Sequence, residues 1–298
     1  MTLLVIGASG YVGRHVARRA RALGVDVVGT YAREPLDIRG VTWRRLDIRD
    51  AGAIQALVDE AAPAAVVSAA YGHPPYGTAT ASAAVNWGVN AHGAVHVAQA
   101  AAASGLRLVH VSSDAVHRGD PDPLTEDALP DPIYPYGAAK AAAELGIALV
   151  APDAVIARVS LVHSSDGGDL SERERFILDL AAGRVEGTLF TDNVRCPIGV
   201  GDLAAALVEL ALGPAGDGSE AAVAYSGVLN LAGPDPINFY DLGMGVARQH
   251  GVDPSAIPSG LGGPNRPACL VLDTSRARSL LTTGIRGIHE LLGSARGE

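Results

Sequence analysis

The chain has 298 residues and a formal net charge of −9, and 48% of its residues are hydrophobic but only 4% are aromatic. This length supports a large core, which must be aliphatic and rich in alanine because aromatic residues are so few. The acidic balance, without a run of basic residues, argues against a nucleic-acid partner, and the apolar stretches fall short of the roughly 20 residues that span a membrane.

Short aliphatic runs alternate with alanine-rich stretches through the first half of the chain. The sequence predicts strands at Leu3–Gly7, Asp26–Thr30, Val41–Leu46, Ala64–Ala69, Leu106–Ser112 and Ala154–Val159. It predicts helices at Tyr11–Leu23, Ala51–Ala61, Ala79–Ser104 and Tyr136–Leu149. Strands that are apolar on both faces and separated by helices indicate an α/β fold, a Rossmann-type doubly wound parallel sheet.

The alternation becomes less regular after Val159. Helices are predicted near Glu172–Ala182 and from about Gly201 to Leu212, a further strand at Ser226–Leu231, and mostly turns over the last seventy residues. We expect residues 1–160 to form a Rossmann domain to which residues 195–232 return. Residues 161–194 and 233–298 are expected to form a smaller substrate-binding lobe over the carboxyl ends of the strands.

A glycine loop follows the first predicted strand, with the sequence Gly7-Ala8-Ser9-Gly10-Tyr11-Val12-Gly13. Glycines at this spacing permit a tight turn, close approach of the backbone to a pyrophosphate, and close packing of helix on strand. The N-terminus of the helix adds free N–H groups and a positive dipole potential. A dinucleotide cofactor is therefore expected at this loop, with contacts from Gly7, Ser9, Gly10, Tyr11, Val12 and Gly13.

The second predicted strand ends at Thr30 without the acidic residue that would bind the adenosine 2′-hydroxyl of NADH. Arg14 follows the loop and Arg33 follows the strand, so two guanidinium groups are available to a 2′-phosphate, unless both are ordinary surface arginines. We expect NADP(H) to be preferred, with NAD(H) as the alternative. Asp47, with Ile48 after it, is expected to accept a hydrogen bond from the adenine amino group, or to be a turn residue at a strand end.

Tyr136 and Lys140 lie four residues apart on a predicted helix, so they share one face. A neighbouring cation lowers the pKa of a tyrosine, and Lys140 is expected to act in this way on Tyr136 and to bind the nicotinamide ribose. Ser112 and Ser113 end the fifth predicted strand and offer a second hydroxyl. The chain has 22 arginines and this single lysine. Because a site that needs a compact ammonium cannot take a guanidinium, the pair predicts a reductase active site.

With these motifs the chain resembles the extended short-chain dehydrogenase/reductase family, and within it the dTDP-4-dehydrorhamnose reductases and related sugar-nucleotide-binding proteins. The resemblance covers nearly the whole chain, including Val89-Asn90-Ala91, Pro135-Tyr136-Gly137, Leu229–Pro234 and Leu272–Ala277. It implies that Tyr136 is the acid, Lys140 its support, Ser113 its hydroxyl partner and Asn90 the organiser of a water relay. It also implies cofactor contacts from Ala69, Ala70, Tyr71 and Ser112.

The resemblance implies NADPH-dependent reduction of the 4-keto group of a nucleotide-linked 6-deoxyhexose. The implied substrate-binding residues are Ser113, Asp114, His117, Tyr136, Leu161 and Arg195. The sequence departs from the reductases in this pocket, where Ala115, His117, Leu161 and His163 stand in place of aromatic residues. Arg195 is expected either to hold a substrate phosphate or to form a structural ion pair.

Other functions stay open, namely reduction of a non-sugar ketone or imine, epimerisation of a sugar nucleotide, and a non-catalytic, cofactor-binding regulatory subunit. A 4,6-dehydratase is disfavoured. Similarity to such enzymes would imply a Thr-Asp-Glu sequence after the fifth strand, and here Ala115 stands in place of the glutamate.

The expected partner is a small molecule, without nucleic acid or membrane, and a homodimer is left open. Cys196 and Cys269 lie far apart and the histidines are scattered. This pattern predicts no metal site and a reducing, cytoplasmic location.

Overall fold

The computed structural model describes residues 1–72, 86–164, 168–215, 218, 224–263 and 266–293. Its first half contains β1 (Thr2–Ile6), α1 (Tyr11–Ala22), β2 (Asp26–Tyr31), β3 (Val41–Arg45), α2 (Ala51–Ala61), β4 (Ala65–Ser68), α3 (Ala94–Ala103), β5 (Arg107–Ser113), α4 (Pro135–Val150) and β6 (Val155–Val159). The start of the helix predicted at Ala79–Ser104 lies outside the described residues.

The second half begins with β7 (Val162–His163), α5 (Glu172–Ala181), β8 (Leu189–Phe190), β9 (Val194–Arg195), β10 (Ile198–Gly199), α6 (Val200–Leu212) and β11 (Gly227–Leu231). It continues with β12 (Ile237–Asn238), α7 (Phe239–Gln249), β13 (Ser259–Gly260), β14 (Cys269–Leu270), α8 (Ser275–Leu280) and α9 (Ile288–Gly293). Within the described part of the chain, no helix is both long and apolar enough to cross a bilayer.

Seven parallel strands form the central sheet in the order β3-β2-β1-β4-β5-β6-β11. The chain progresses outward from β1 to β3 and then returns to add β4 on the other side of β1. This reversal leaves a crevice beyond the carboxyl ends of β1 and β4, which is where open α/β sheets bind their ligands. The predicted doubly wound α/β fold is confirmed.

Helices cover both faces of the sheet with aliphatic side chains. One core lies between the sheet and helices α1 and α6, and the other lies between the sheet and helices α2, α3 and α4. In β1, Leu3–Ile6 is wholly buried because both faces are covered. The prediction of strands buried on both faces fails for β3, where Trp43 is half-buried and Arg45 is exposed, because β3 is an edge strand.

The second half builds its own core from α5, α7 and β8. The prediction of turns over the last seventy residues is wrong at α7, which Asn238 caps by accepting a hydrogen bond from the Asp241 N–H at 2.7 Å. Two glycines obscured this helix in the sequence. At Gly243 and Gly245 an added Cβ would collide with side chains that pack on the helix, so here glycine permits close packing.

Candidate active site

The glycine loop joins β1 to α1 at the crevice. Gly7 has a φ of +81°, and a Cβ added there would lie 2.6 Å from the Ala70 Cα. A Cβ added at Gly13 would collide with the Gly7 carbonyl. Thr30 is buried below the loop, and its Oγ1 accepts a hydrogen bond from the Gly7 N–H at 2.8 Å. The side chain of Thr30 therefore supports the loop from beneath, and glycine is required where the loop meets α1 and the segment after β4.

The start of α1 fits the phosphates of a dinucleotide. Gly10 precedes this helix without a side-chain cap, and its first turn has no acidic residue. By contrast, Asp50, Ser171 and Asn238 cap α2, α5 and α7 with their side chains. Among the residues that the structure describes, no side chain caps the first N–H groups of α1, from Tyr11 and Val12 onward, and these groups suit an anion.

Two residues of the loop make contacts elsewhere in the protein. The Ser9 N–H donates to the Thr30 carbonyl at 3.3 Å, which fixes the turn. The Tyr11 hydroxyl donates to the Asp169 carbonyl at 3.0 Å. The Asp169 carboxylate lies 3.4 Å from the Arg14 guanidinium and 2.9 Å from the Arg18 guanidinium. The segment that contains Asp169 therefore lies against the start of α1, beside the phosphate end of the crevice.

The residues expected at the adenosine end differ in their availability. Arg33 is exposed just past β2. The Asp47 carboxylate accepts hydrogen bonds from the Arg49 backbone N–H at 3.0 Å and from its guanidinium. These bonds from Arg49 lower the pKa of Asp47 to about 2. Asp47 thus has a partner in Arg49, and the side chain of Ile48 is buried in the core.

The segment after β4, Ala69–Tyr71, lies between the glycine loop and α4. The Ala69 N–H donates to the Ile6 carbonyl at 2.9 Å. Asn90, on a π-helical turn at Gly88–Gly93, accepts from the Gly72 N–H at 3.0 Å and donates to the Gly72 carbonyl at 2.7 Å. The carboxamide of Asn90 therefore fixes the segment after β4, and the water relay that the resemblance implies stays a prediction.

Tyr136 lies at the start of α4 within a group of three tyrosines. Its ring centroid is 5.4 Å from that of Tyr71 and 6.5 Å from that of Tyr134. Burial raises the pKa of Tyr136 well above its usual value, the two tyrosines raise it further, and a hydrogen bond with Ser113 acts in the opposite direction. The net shift is upward, opposite to the lowering expected from Lys140, whose own effect on this pKa stays a prediction. The phenol is protonated at neutral pH, which is the form that a proton donor requires.

Lys140 lies one turn further along α4 and turns its ammonium toward β5. Its Nζ donates to the Val111 carbonyl at 2.6 Å and lies 3.0 Å from Nε2 of His110. Lys140 is only 4% exposed. Burial lowers the pKa of Lys140 to about 8, and the Glu144 carboxylate acts in the opposite direction.

The two serines at the end of β5 face opposite ways, because successive residues of a strand alternate between faces. The Ser113 Oγ accepts from the Ala115 N–H at 3.2 Å and lies beside the Tyr136 phenol. The Ser112 hydroxyl is buried and donates to Glu144 at 2.5 Å. The Ser112 hydroxyl therefore faces the interior and is not directed at the crevice, and the expected cofactor contact of Ser112 stays a prediction.

A buried ion pair lies behind the site. Arg158 on β6 contacts Glu144 on α4 at 2.9 Å, and both side chains are buried. Arg158 also lies 3.2 Å from Nε2 of His117. Burial lowers the pKa of His117, and Arg158 lowers it further. With only 1% of His117 exposed, the prediction that it contacts the substrate is wrong.

Asp114 and Arg195 are also turned toward protein groups. The Asp114 carboxylate accepts from the Ser160 hydroxyl at 2.8 Å and lies 3.5 Å from the Arg195 Nε. The structure therefore supports the ion pair and not the phosphate contact as the role of Arg195. Leu161 is half-buried and Ala115 is buried.

Four polar neighbours of the candidate site were missed in the sequence, namely Ser68, His110, Glu144 and Arg158. Ser68 and His110 stand side by side in the register of β4 and β5. A polar residue inside a strand that is otherwise apolar on both faces is a signal that the sequence did offer. Glu144 could have been found because it continues the spacing of Tyr136 and Lys140 by one more turn.

A model of the RmlD substrate binding domain matches residues 1–290. The chain belongs to the RmlD substrate binding domain family. It is 31% identical over 262 residues to a dTDP-4-dehydrorhamnose reductase of Mycobacterium tuberculosis, covering 86% of this chain and 77% of that one. It is 29% identical over 290 residues to a dTDP-4-keto-6-deoxy-D-glucose reductase of Streptomyces niveus, covering 95% of this chain and 92% of that one.

Solved structures share the fold of this RmlD-family chain. The dTDP-4-dehydrorhamnose reductase of Bacillus anthracis in complex with NADP has a TM-score of 0.79 at 20% identity, covering 98% of this chain and 97% of that one. The UDP-glucose 4-epimerase of Thermus thermophilus in complex with NAD has a TM-score of 0.78 at 21% identity, covering 100% of this chain and 99% of that one. The predicted family is confirmed, and so is the enzyme class, an NAD(P)-dependent oxidoreductase of the extended short-chain dehydrogenase/reductase type.

Proposed function

We propose that this RmlD-family enzyme reduces the 4-keto group of a nucleotide-linked 6-deoxyhexose with NADPH. The observation that carries the proposal is the protonated Tyr136 phenol beside Ser113, with Lys140 one turn further along α4. All three lie at the carboxyl end of the sheet, at the crevice. The sugar class is supported by the names of the Mycobacterium tuberculosis and Streptomyces niveus relatives.

The roles of the side chains follow from their protonation and position. A reduced nicotinamide, when bound, supplies the hydride that reaches the carbonyl carbon. Tyr136 donates its phenolic proton to the carbonyl oxygen, and Ser113, which is hydrogen-bonded to the phenol, orients that oxygen and polarises the carbonyl. Lys140 would bind the ribose of the cofactor with its buried positive charge, and Asn90 holds the segment after β4 through its two hydrogen bonds with Gly72.

A preference for NADPH over NADH is part of the proposal. It is supported by Arg33, exposed just past β2, and by the sequence Thr30-Tyr31-Ala32, which has no carboxylate at the strand end. Arg14 would add a second cation only by leaving Asp169. Because exposed ion pairs contribute little, a 2′-phosphate can compete with that carboxylate.

The first test is oxidation of NADPH, followed by its absorbance, with a panel of dTDP-4-keto-6-deoxyhexoses. We expect turnover by the wild-type enzyme and a loss of about 100-fold or more in kcat for Tyr136→Phe, because that variant lacks the proton donor. Tyr240→Phe, on α7, removes the same hydroxyl elsewhere and should retain turnover. Absence of turnover across the panel, with NADPH bound, would refute the sugar substrate.

The second test compares kcat/KM for NADPH and NADH. We expect a ratio well above one in the wild-type enzyme and a ratio reduced about tenfold in Arg33→Ala, mainly through the KM for NADPH. Equal efficiency with both cofactors would refute the preference and would leave the sugar reductase activity intact.

A further inference from the structure

The ammonium of Lys140 meets two acceptors on β5. Its Nζ lies 2.6 Å from the Val111 carbonyl oxygen and 3.0 Å from Nε2 of His110. An ammonium has three N–H donors and no acceptor, so Nε2 of His110 must accept. The hydrogen of the imidazole is therefore on Nδ1, which lies 3.3 Å from the Ser68 hydroxyl oxygen. Ser68, His110 and Lys140 thus form one hydrogen-bonded chain from β4 through β5 to α4.

Every member of this chain is buried. His110 and Ser68 are each 1% exposed. Burial lowers the pKa of His110 well below its usual value, and the charge of Lys140 lowers it further, so the imidazole is neutral. A neutral acceptor at hydrogen-bond distance stabilises the charged form of a buried ammonium without adding a second charge.

We propose that His110, held in its Nδ1–H form by Ser68, is a positioning residue that keeps the Lys140 ammonium charged and fixes its direction. Because Val111 and His110 occupy two donors on the β5 side, the third N–H points away from β5. In the proposed reductase, on which this inference rests, that N–H faces the ribose of the cofactor. His110 touches neither substrate nor cofactor and acts through Lys140 alone.

Two further titratable groups flank Lys140 along α4, and one of them, Glu144, affects its charge. Glu144 lies one turn along α4 and favours the ammonium, but its carboxylate is shared with Arg158 of β6 and the Ser112 hydroxyl of β5. Tyr136 lies one turn back and stays protonated, so it adds no charge. His110 is neutral and lies outside the Glu144–Arg158 ion pair. A substitution of His110 therefore tests what holds the charge of Lys140 without disturbing that ion pair.

The sole lysine permits a direct experiment. Protein labelled with ¹³C-lysine contains a single lysine side chain, so the Cε resonance titrates with Lys140 alone. We expect a wild-type midpoint near the pKa of about 8. In His110→Leu the midpoint should fall by about one pH unit, the effect of removing one acceptor from a buried ammonium. In His110→Gln, whose amide oxygen replaces Nε2, most of this loss should be recovered.

A second readout is the Kd for NADPH at pH 7.5. We expect it to rise about tenfold in His110→Leu and to change by less than about threefold in His110→Gln. Leu108→Ala, on the same face of β5, should lower Tm but leave both the titration and the Kd unchanged. If His110→Leu does not fold, Ser68→Ala serves in its place and should lower the midpoint by a smaller amount.

An unchanged Lys140 midpoint in a folded His110→Leu or Ser68→Ala protein would overturn the proposal. A midpoint that falls equally in Leu108→Ala would also overturn it, because the effect would then belong to packing. Neither readout uses a sugar substrate. A failure of the proposed reductase activity therefore shows in the turnover panel alone, while a failure of the positioning role shows in the titration.

Discussion

The most quantitative prediction concerns Glu174, a buried carboxylate in the first turn of α5. It accepts hydrogen bonds from the Ser164 N–H at 2.9 Å, the Ser164 hydroxyl at 2.7 Å and the Ser171 N–H at 2.7 Å. Nδ1 of His163 lies 2.7 Å away as well. Burial by itself would raise the pKa of Glu174, but these bonds outweigh it and lower the pKa to about 2.

This lowered pKa can be converted into a contribution to folding stability. The ordinary value of the carboxyl is 4.5, so the shift to about 2 corresponds to about 3 kcal/mol. A depressed pKa stabilises the folded state above the unfolded pKa, and this contribution is lost as the pH falls toward the folded pKa. The contribution of Glu174 should therefore be complete at pH 6 and should shrink to about 1.4 kcal/mol at pH 3.

Glu174→Gln tests this reasoning. The amide removes the charge and replaces one acceptor oxygen with an NH₂ group, which cannot accept the hydrogen bonds that Ser164 and Ser171 donate. We expect the free energy of unfolding, measured in urea, to be about 3 kcal/mol lower in the variant than in wild type at pH 6. At pH 3 this difference between variant and wild type should be smaller by about 2 kcal/mol. Glu172→Gln is the matched control, since Glu172 is exposed in the same turn and should change stability little. A loss below about 1 kcal/mol at pH 6, or one independent of pH, would refute the reasoning.

Three other substitutions test the pairing and packing around the site. Arg158→Met should lower the free energy of unfolding by about 3–5 kcal/mol in urea titrations, because it leaves Glu144 buried without its cation. Gly13→Ala should weaken NADPH binding by about tenfold or more in a fluorescence titration, because the methyl group would displace the loop backbone. Asp169→Asn should lower the Kd for NADPH about two- to fivefold by releasing Arg14, and an unchanged Kd would show that Arg14 does not meet the 2′-phosphate.

The backbone was predictable because it depends on patterns that recur locally. Aliphatic runs predicted the seven strands of the central sheet within a residue or two, but not the two-residue strands outside it, and the glycine spacing predicted the turn into α1. The helix α7 was not predicted because Gly243 and Gly245 suggest turns, and only the packing of distant side chains shows why a helix accepts them. Local helix propensity thus failed to predict α7, because close packing against other elements requires glycine at these positions.

The pairing of polar side chains was less predictable than the backbone. The shared face of Tyr136 and Lys140 follows from helical spacing, but the partner of the ammonium lies 30 residues away on β5. His117 was expected at the substrate because the family resemblance implies it, yet its ring is buried and lies 3.2 Å from the Arg158 guanidinium. Spacing determines which side chains share an element, while the partner of each buried charge depends on how the elements stack.

The choice between arginine and lysine shows this dependence at the site itself. The planar guanidinium of Arg158 matches a carboxylate, because it reaches both oxygens of Glu144, at 3.2 and 2.9 Å. At Lys140 the acceptors are a single carbonyl oxygen and a single imidazole nitrogen, both directed at one atom. A guanidinium carries its donors on three separate nitrogens. It therefore cannot direct two N–H groups at these two acceptors from one atom and still direct a third N–H group toward the crevice. The lysine is therefore required by the shape of its acceptors on β5, which is why a chain with 22 arginines retains it here.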